Sequence, residues 1–201
     1  MKEERERIRS FIEIVQWATS ANIAYFLHGF CNPKLTRRYA SELSEMARVK
    51  DRTKQLRRIA NQNGQSAYTL TRKTVPTFRY SHDVALRNVL GKLFNQTGLV
   101  AVDFKTSADA ALGQSYLEMD NGHMDQRQLE HKIVQHYFNG DRPVIFIMRH
   151  RDNPTLEDQR KQIIFALSET IFHSRPDKLL AAGYSEFLQH GKFYNRKGEE
   201  K

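Results

Sequence analysis

Residues 32–70 read NPKLTRRYASELSEMARVKDRTKQLRRIANQNGQSAYTL, and this stretch decides the fold of the amino-terminal part. Asn32-Pro33 is a helix start: Asn accepts from open backbone N–H groups, and Pro suits the first helical position, where no N–H is needed. Tyr39, Leu43 and Met46 then recur at spacings of four and three, forming the apolar stripe of one helix. Arg37, Arg38 and Ser41 lie off that stripe and can face a groove. Leu56 to Ala60 reads as a strand, Asn61-Gln62-Asn63-Gly64 as a turn, and Ser66 to Leu70 as the return strand. Asn-Gly between two strand-like runs signals a hairpin, because both residues accept the positive φ that its tight turn requires.

Working outward, Ile8, Phe11, Ile12 and Val15 recur at helical spacing. Ser20 is a candidate cap for a short second helix through Ala24 and Leu27, with Gly29 as its stop. Three helices followed by a basic hairpin is the order of a winged helix-turn-helix. In that fold the third helix enters the major groove and the hairpin touches the backbone. This gives Arg37, Arg38 and Ser41 to the groove, with Lys34 at the helix start in the same DNA-binding set. It gives Lys54, Arg57, Arg58 and Arg72 to phosphates. The same fold also serves as a dimerisation or protein-docking module.

Charge supports the DNA assignment. The 201 residues hold 32 Lys and Arg against 23 Asp and Glu, a net +9. Residues 1–75 carry 15 basic and 7 acidic side chains, net +8, while residues 76–201 are nearly balanced at 17 and 16. Neutralising about six phosphates would give a log affinity against log salt slope of about −5. At 39% hydrophobic and 27% charged residues, the chain has the composition of a folded domain, not a disordered one. Cys31 is the single cysteine, which excludes an internal disulfide and a cysteine-only zinc cage and suits a reducing compartment. The apolar run Pro143 to Met148 is far short of the roughly 20 residues of a membrane helix. The charged start Lys-Glu-Glu-Arg-Glu-Arg is unlike a secretory signal. The expectation is a cytoplasmic protein with no membrane segment, whose first partner to test is nucleic acid and second an anionic surface.

The remainder reads as a small α/β domain over residues 76–190, ending in a polar tail, 191–201, expected to fray. Ser81-His82-Asp83 opens a helix carrying Val84, Leu86, Val89, Leu90 and Leu93, and a strand is expected from Leu99 to Phe104. Asp109 to Leu112 is extended, Gly113-Gln114 turns, and Ser115 to Asp120 returns. Met124 to Phe138 is a helix with Leu129, Ile133 and Tyr137 on one face. Pro143 to Met148 has the apolar run of a strand covered on both faces. Thr155 and Asp158 have capping-box spacing, opening a helix that turns Ile163, Ile164, Leu167 and Ile171 toward the core.

Carboxylates inside this sheet need explanation, since burying one is costly without compensation. Strand alternation sends Leu117 and Met119 one way and Glu118 and Asp120 the other, with the two acids about 6.6 Å apart. Asp109, one strand earlier, can sit beside them. Three such carboxylates suit a hard cation, Mg²⁺ or Mn²⁺, that activates water and polarises a phosphodiester. Lys132 on the next helix is placed to neutralise the phosphate. The plainer alternative puts Glu118 and Asp120 on the solvent face of a half-exposed hairpin. His82 is read as a helix cap or packing residue before a partner of metal-bound water, and Tyr137 as core. His123, His131 and His136 make no zinc set with cysteines, and Phe187, Phe193 and Tyr194 are read as packing or partner contacts.

The order of winged helix, His82-Asp83, Asp109, Leu-Glu-Met-Asp-Asn-Gly (117–122), Lys132 and Tyr137 resembles the replication–relaxation family of plasmids and integrative elements. That family is similar to relaxases of the MOB-C class, whose core resembles restriction-endonuclease-like PD-(D/E)xK nucleases. The resemblance runs from about Ile8 to about Ile171. It implies that Asp109 matches the first metal-binding aspartate, Glu118 the acid of the second motif, and Tyr137 a tyrosine near the end of the following helix. Asp120 stands where the nuclease motif has lysine, so Lys132 would be that lysine relocated, and Ala108 replaces the proline usual before the first aspartate. The implied function is DNA processing in mobilisation or replication: nicking with a divalent metal at an origin of transfer or replication, with relaxosome proteins or a second copy as partners. The alternative is a non-catalytic relaxosome accessory factor or transcriptional regulator with a degenerate nuclease-like domain.

Overall fold

Helix α1 (Lys2–Val15) buries Ile8, Phe11, Ile12 and Val15, the stripe expected from their spacing. The structure, a computed structural model, describes residues 2–62, 65–70, 80–106, 108–138, 142–150, 153–171 and 175–201. These divide into two compact units, Met1–Val100 and Ala101–Lys201, both mixing helix and sheet.

In the first unit, β1 (Trp17–Thr19), α2 (Ser20–His28), α3 (Pro33–Ala47), β2 (Leu56–Gln62), β3 (Gln65–Leu70) and α4 (Tyr80–Thr97) follow α1. The sheet has the antiparallel order β1-β3-β2, with Trp17 and Arg57 both opposite Thr69. Asn32 caps α3 by accepting from the Leu35 N–H at 2.9 Å, and Pro33 takes the first turn. Tyr39, Leu43 and Met46 are buried as expected. The cap of α2 is Thr19 and not Ser20: Thr19 and Asn22 exchange bonds in a capping box. Gly29, at φ 72°, ends that helix. Asn61 pairs with Ser66 and Gln62 with Gln65, so the first two residues read as turn belong to the strand, and residues 63 and 64 lie outside the described residues.

Helix α4 belongs to this unit, not to the second domain. Gly91 lets its backbone approach α2 so closely that a Cβ there would lie 2.8 Å from the Asn22 carbonyl oxygen. Asn22 Nδ2 donates to Val84 O at 3.0 Å and Asn88 Oδ1 at 2.7 Å, and Lys92 Nζ donates to Gly29 O at 2.8 Å. Arg87 lies buried against Trp17, its guanidinium 3.9 Å from the ring centroid, and its Nε donates to Val15 O and Trp17 O. Burial pushes its pKa down to about 10. The boundary drawn at residue 75 therefore falls at residue 100. The buried side of α4 is Ala85, Leu86, Val89, Leu90 and Phe94, so Val84 and Leu93 sit at its margin.

The second unit runs β4 (Val102–Asp103), β5 (Ala110–Leu112), β6 (Ser115–Asp120), α5 (Gln126–Phe138), β7 (Val144–Met148), α6 (Pro154–Ile171), a 3₁₀ turn (Pro176–Lys178), β8 (Leu179–Gly183), α7 (Tyr184–His190) and β9 (Tyr194–Asn195). Its six strands lie in sequence order, β6-β7-β8 parallel and the outer pairs antiparallel. All five residues of β7 are buried, as its apolar run required. Leu129 and Ile133 of α5 and Ile164 of α6 pack with Val144, Phe146, Met148, Leu179 and Ala181.

Four expectations change here. The strand expected over 99–104 shrinks to Val102–Asp103, with Leu99 and Val100 exposed. Helix α6 starts from Asn153-Pro154, the Glu157 N–H reaching Asn153 O at 3.1 Å, and not from Thr155. Ile163 is exposed, because Ile164 takes the core position. Residues 191–201 are built into the fold: Phe193 stacks on Phe187 at 4.6 Å, and buried Asn195 accepts from the Lys197 and Glu199 N–H groups at 3.0 Å each. Among the described residues, no helix is long and apolar enough to cross a membrane.

Candidate functional site

Lys34, Arg37 and Ser41 of α3 and Arg48, its C-cap, are exposed, and their spacings of three, four and seven place them in one stripe opposite Tyr39, Leu43 and Met46. Lys34, Arg37 and Arg48 have no acidic partner among the described residues, while Arg37 Nε donates to Pro33 O at 3.3 Å. Arg48 is absent from the expected set, although its seven-residue step from Ser41 signals the same face. Arg38 lies on the flank. Its Nη2 donates to Glu4 at 2.8 and 3.0 Å, and its guanidinium sits 5.1 Å from the Tyr39 ring centroid. Arg5 bonds Glu42 and also Glu45, the latter at 2.8 Å, so this side of α3 forms an ion-pair seam with α1. The Glu42 hydrogen bond, with both carboxylates, raises the pKa of Arg5 against its partial burial.

On the hairpin, Arg57 and Arg58 are exposed, and Arg58 Nε donates to Ser66 Oγ at 2.8 Å. The register shifts between Arg58 and Asn61, a bulge that adds twist to the hairpin. Lys54 is exposed, 3.9 Å from Asp51, and Arg72 lies outside the described residues. With the boundary at residue 100, the first unit holds 18 basic and 8 acidic residues, net +10, and the second 14 and 15, net −1.

The carboxylates of β6 face inward. Glu118 is 0% exposed and Asp120 1%, which overturns the solvent-face alternative. Glu118 lies opposite Phe146 and Asp120 opposite Met148, on the side covered by α5 and α6. Lys132 Nζ donates to both Glu118 oxygens at 2.8 and 2.9 Å, and His136 Nε2 is 2.7 Å from Oε1. Lys132 therefore pairs with Glu118 itself, where the sequence reading has it face a phosphate. Asp120 instead accepts from Arg160 Nε at 2.7 Å and from the Gly122 N–H at 2.9 Å. Asp109 Oδ2 accepts from the Met119 N–H at 2.8 Å.

These bonds supply the compensation that buried charge requires. They also engage the oxygens that a divalent ion would use. Among the described residues no three His, Cys, Asp or Glu side chains converge as a cation cage, so the set as arranged does not fit one. His136 and Arg160 are the partners the sequence reading missed. The signal for His136 is its four-residue step from Lys132; Arg160, forty residues beyond Asp120, has no local signal. His82 sits at the start of α4 in the first unit, 3.2 Å from Asp83, and the Tyr137 side chain lies outside the described residues.

Comparison of the chain with protein-family models, curated proteins and solved structures gives no match.

Proposed function

We propose that the chain is a DNA-binding protein whose first unit is a winged helix-turn-helix. The carrying observation is the order α1-β1-α2-α3-β2-β3 with strands arranged β1-β3-β2, which leaves a basic stripe of α3 and a basic hairpin exposed. In this reading Lys34, Arg37, Ser41 and Arg48 meet the major groove, where Arg reads guanine edges, and Lys54, Arg57 and Arg58 lie against phosphates. The setting we propose is cytoplasmic, in the mobilisation or replication of a plasmid-like element. The DNA partner would be an origin of transfer or replication, and the protein partners relaxosome components or a second copy.

Fluorescence anisotropy on duplex DNA across a salt series tests this. Lys34→Ala with Arg37→Ala should weaken binding at least tenfold, about 1.4 kcal/mol. Arg57→Ala with Arg58→Ala should make the salt slope shallower by about two. Arg38→Ala, already paired to Glu4, should change binding least. Unaltered binding in both double variants refutes the placement.

A second reading, DNA cleavage by the second unit, is favoured by one observation: Lys132 reaches Glu118. It requires the Glu118 and Asp120 ion pairs to open. Incubating supercoiled plasmid with Mg²⁺ or Mn²⁺ decides it: nicking lost in Glu118→Ala and Asp109→Ala supports an enzyme, and binding without nicking supports an accessory or regulatory protein.

A further inference from the structure

The flank of α3 that faces α1 holds a polar cluster outside the groove stripe. Arg38 Nη2 donates to both oxygens of Glu4, at 2.8 and 3.0 Å, and the Tyr39 hydroxyl donates to Glu4 Oε1 at 3.0 Å. Because that hydroxyl gives its proton to Glu4, its oxygen takes the hydrogen bond from His28 Nε2, 2.6 Å away. One carboxylate thus collects a guanidinium and a hydroxyl, the donors that proteins also place around a phosphate oxygen.

The place has room and opens to solvent. Glu4, Arg7, Leu27, His28, Arg38 and Tyr39 line a surface cavity of about 370 Å³. The side chains of Arg38 and Glu4 are 54% and 31% exposed, and an ion pair so exposed holds its partners weakly. Arg7 is exposed, its guanidinium 5.5 Å from the Phe26 ring centroid, and has no acidic partner among the described residues. Glu3 borders the same cavity, but of these two acids only Glu4 bonds Arg38. Glu4 stands in the first turn of α1, where the helix terminus favours a carboxylate whether it turns to Arg38 or out to water.

We propose that Arg38 and Tyr39 form a seat for a DNA backbone phosphate, which Glu4 fills in the free protein and vacates on binding. This seat rests on the reading of α3 as the groove helix. Arg38 lies one residue round the helix from Arg37 of the groove stripe. The walls of a major groove about 12 Å wide are phosphate backbone, so a side chain on the flank of the groove helix meets phosphate and not a base edge. The phosphate takes the Arg38 guanidinium and the Tyr39 hydroxyl in place of the carboxylate, with His28 holding Tyr39 and Arg7 on the same cavity. Glu4 is then a competitor: Arg38 changes partner only for DNA whose backbone lies along this flank.

Fluorescence anisotropy of the full chain on duplex DNA, with Glu4→Gln, Arg38→Ala and the double variant, tests the seat. Glu4→Gln keeps the shape of the side chain and removes the competing charge. It should tighten binding about threefold, and the gain should vanish when Arg38→Ala is added. Glu4→Ala, which frees Arg38 in a second way, should show the same gain and the same loss of it. In the Glu4→Gln chain, Tyr39→Phe should give back part of the gain by removing the second donor. All variants are compared where circular dichroism shows an unchanged fold. A gain from lost negative charge alone would persist beside Arg38→Ala. That persistence, or binding that Glu4→Gln leaves unchanged or weakens, overturns the seat, while Lys34→Ala with Arg37→Ala still reports on the groove helix. Absence of duplex binding in the wild-type chain overturns both.

Discussion

Glu118 is fully buried, so its charge is met inside the protein by Lys132 and His136. Removing one partner of a buried pair costs more than removing both, because the survivor keeps its desolvation penalty. Lys132→Met should therefore lower stability by about 3 kcal/mol, and Glu118→Gln added to it should restore part of that loss. Urea unfolding of the two singles and the double measures the coupling. Tyr39 presents the opposite case, a buried group kept neutral. Burial first, then its hydrogen bond to Glu4 at 3.0 Å, raises its pKa from 10.0 to about 12. A group whose folded pKa is raised contributes its stability fully below the unfolded value and loses it as pH climbs through the folded one. Wild-type protein should thus lose more stability between pH 10 and 12 than Tyr39→Phe, read as urea midpoints across that window.

At the scale of elements, close backbone approach decides where α4 belongs. Gly91→Ala would drive a methyl group into the Asn22 carbonyl and the start of the Phe26 backbone, and helix atoms cannot swing aside as a flexible side chain can. Overpacking of this kind should cost about 1–3 kcal/mol, checked by thermal melting against wild type. This contact was invisible in the sequence, because a lone Gly in a helix names no partner. Elements with local signals were legible: α1 and α3 by their apolar spacing, α3 also by Asn32-Pro33, and the hairpin by Asn63-Gly64 between β-like runs. Strand β1 was not, since three residues are too few for a period to show. Nor were β8, α7 and β9, where Leu-Leu-Ala-Ala-Gly lacks alternation and a polar ending conceals buried Phe193 and Asn195. The acids of β6 were half legible. Alternation puts Glu118 and Asp120 on one face, but only the parallel order of β6, β7 and β8 puts helices over that face.

For the whole molecule, the redrawn boundary concentrates the positive charge further, to +10 in residues 1–100 against −1 in residues 101–201. Counterion release follows the phosphates that a surface neutralises, not the net charge of a chain. A fragment of residues 1–100 should then reproduce the salt slope of the full protein, about −5, while residues 101–201 contribute little to it. Anisotropy with both proteins on the same duplex measures this. The second unit carries a different consequence in its outermost strands. Val102–Asp103 and Tyr194–Asn195 have two residues each, and Glu200 already bridges Tyr194 on the outer side. A sheet recruits another chain through a long row of open N–H and C=O groups, and so short a row offers almost no template. Copies of this protein meeting through that sheet would gain at most a residue or two of ladder, which protects it against fibre growth at the concentrations where longer edges aggregate.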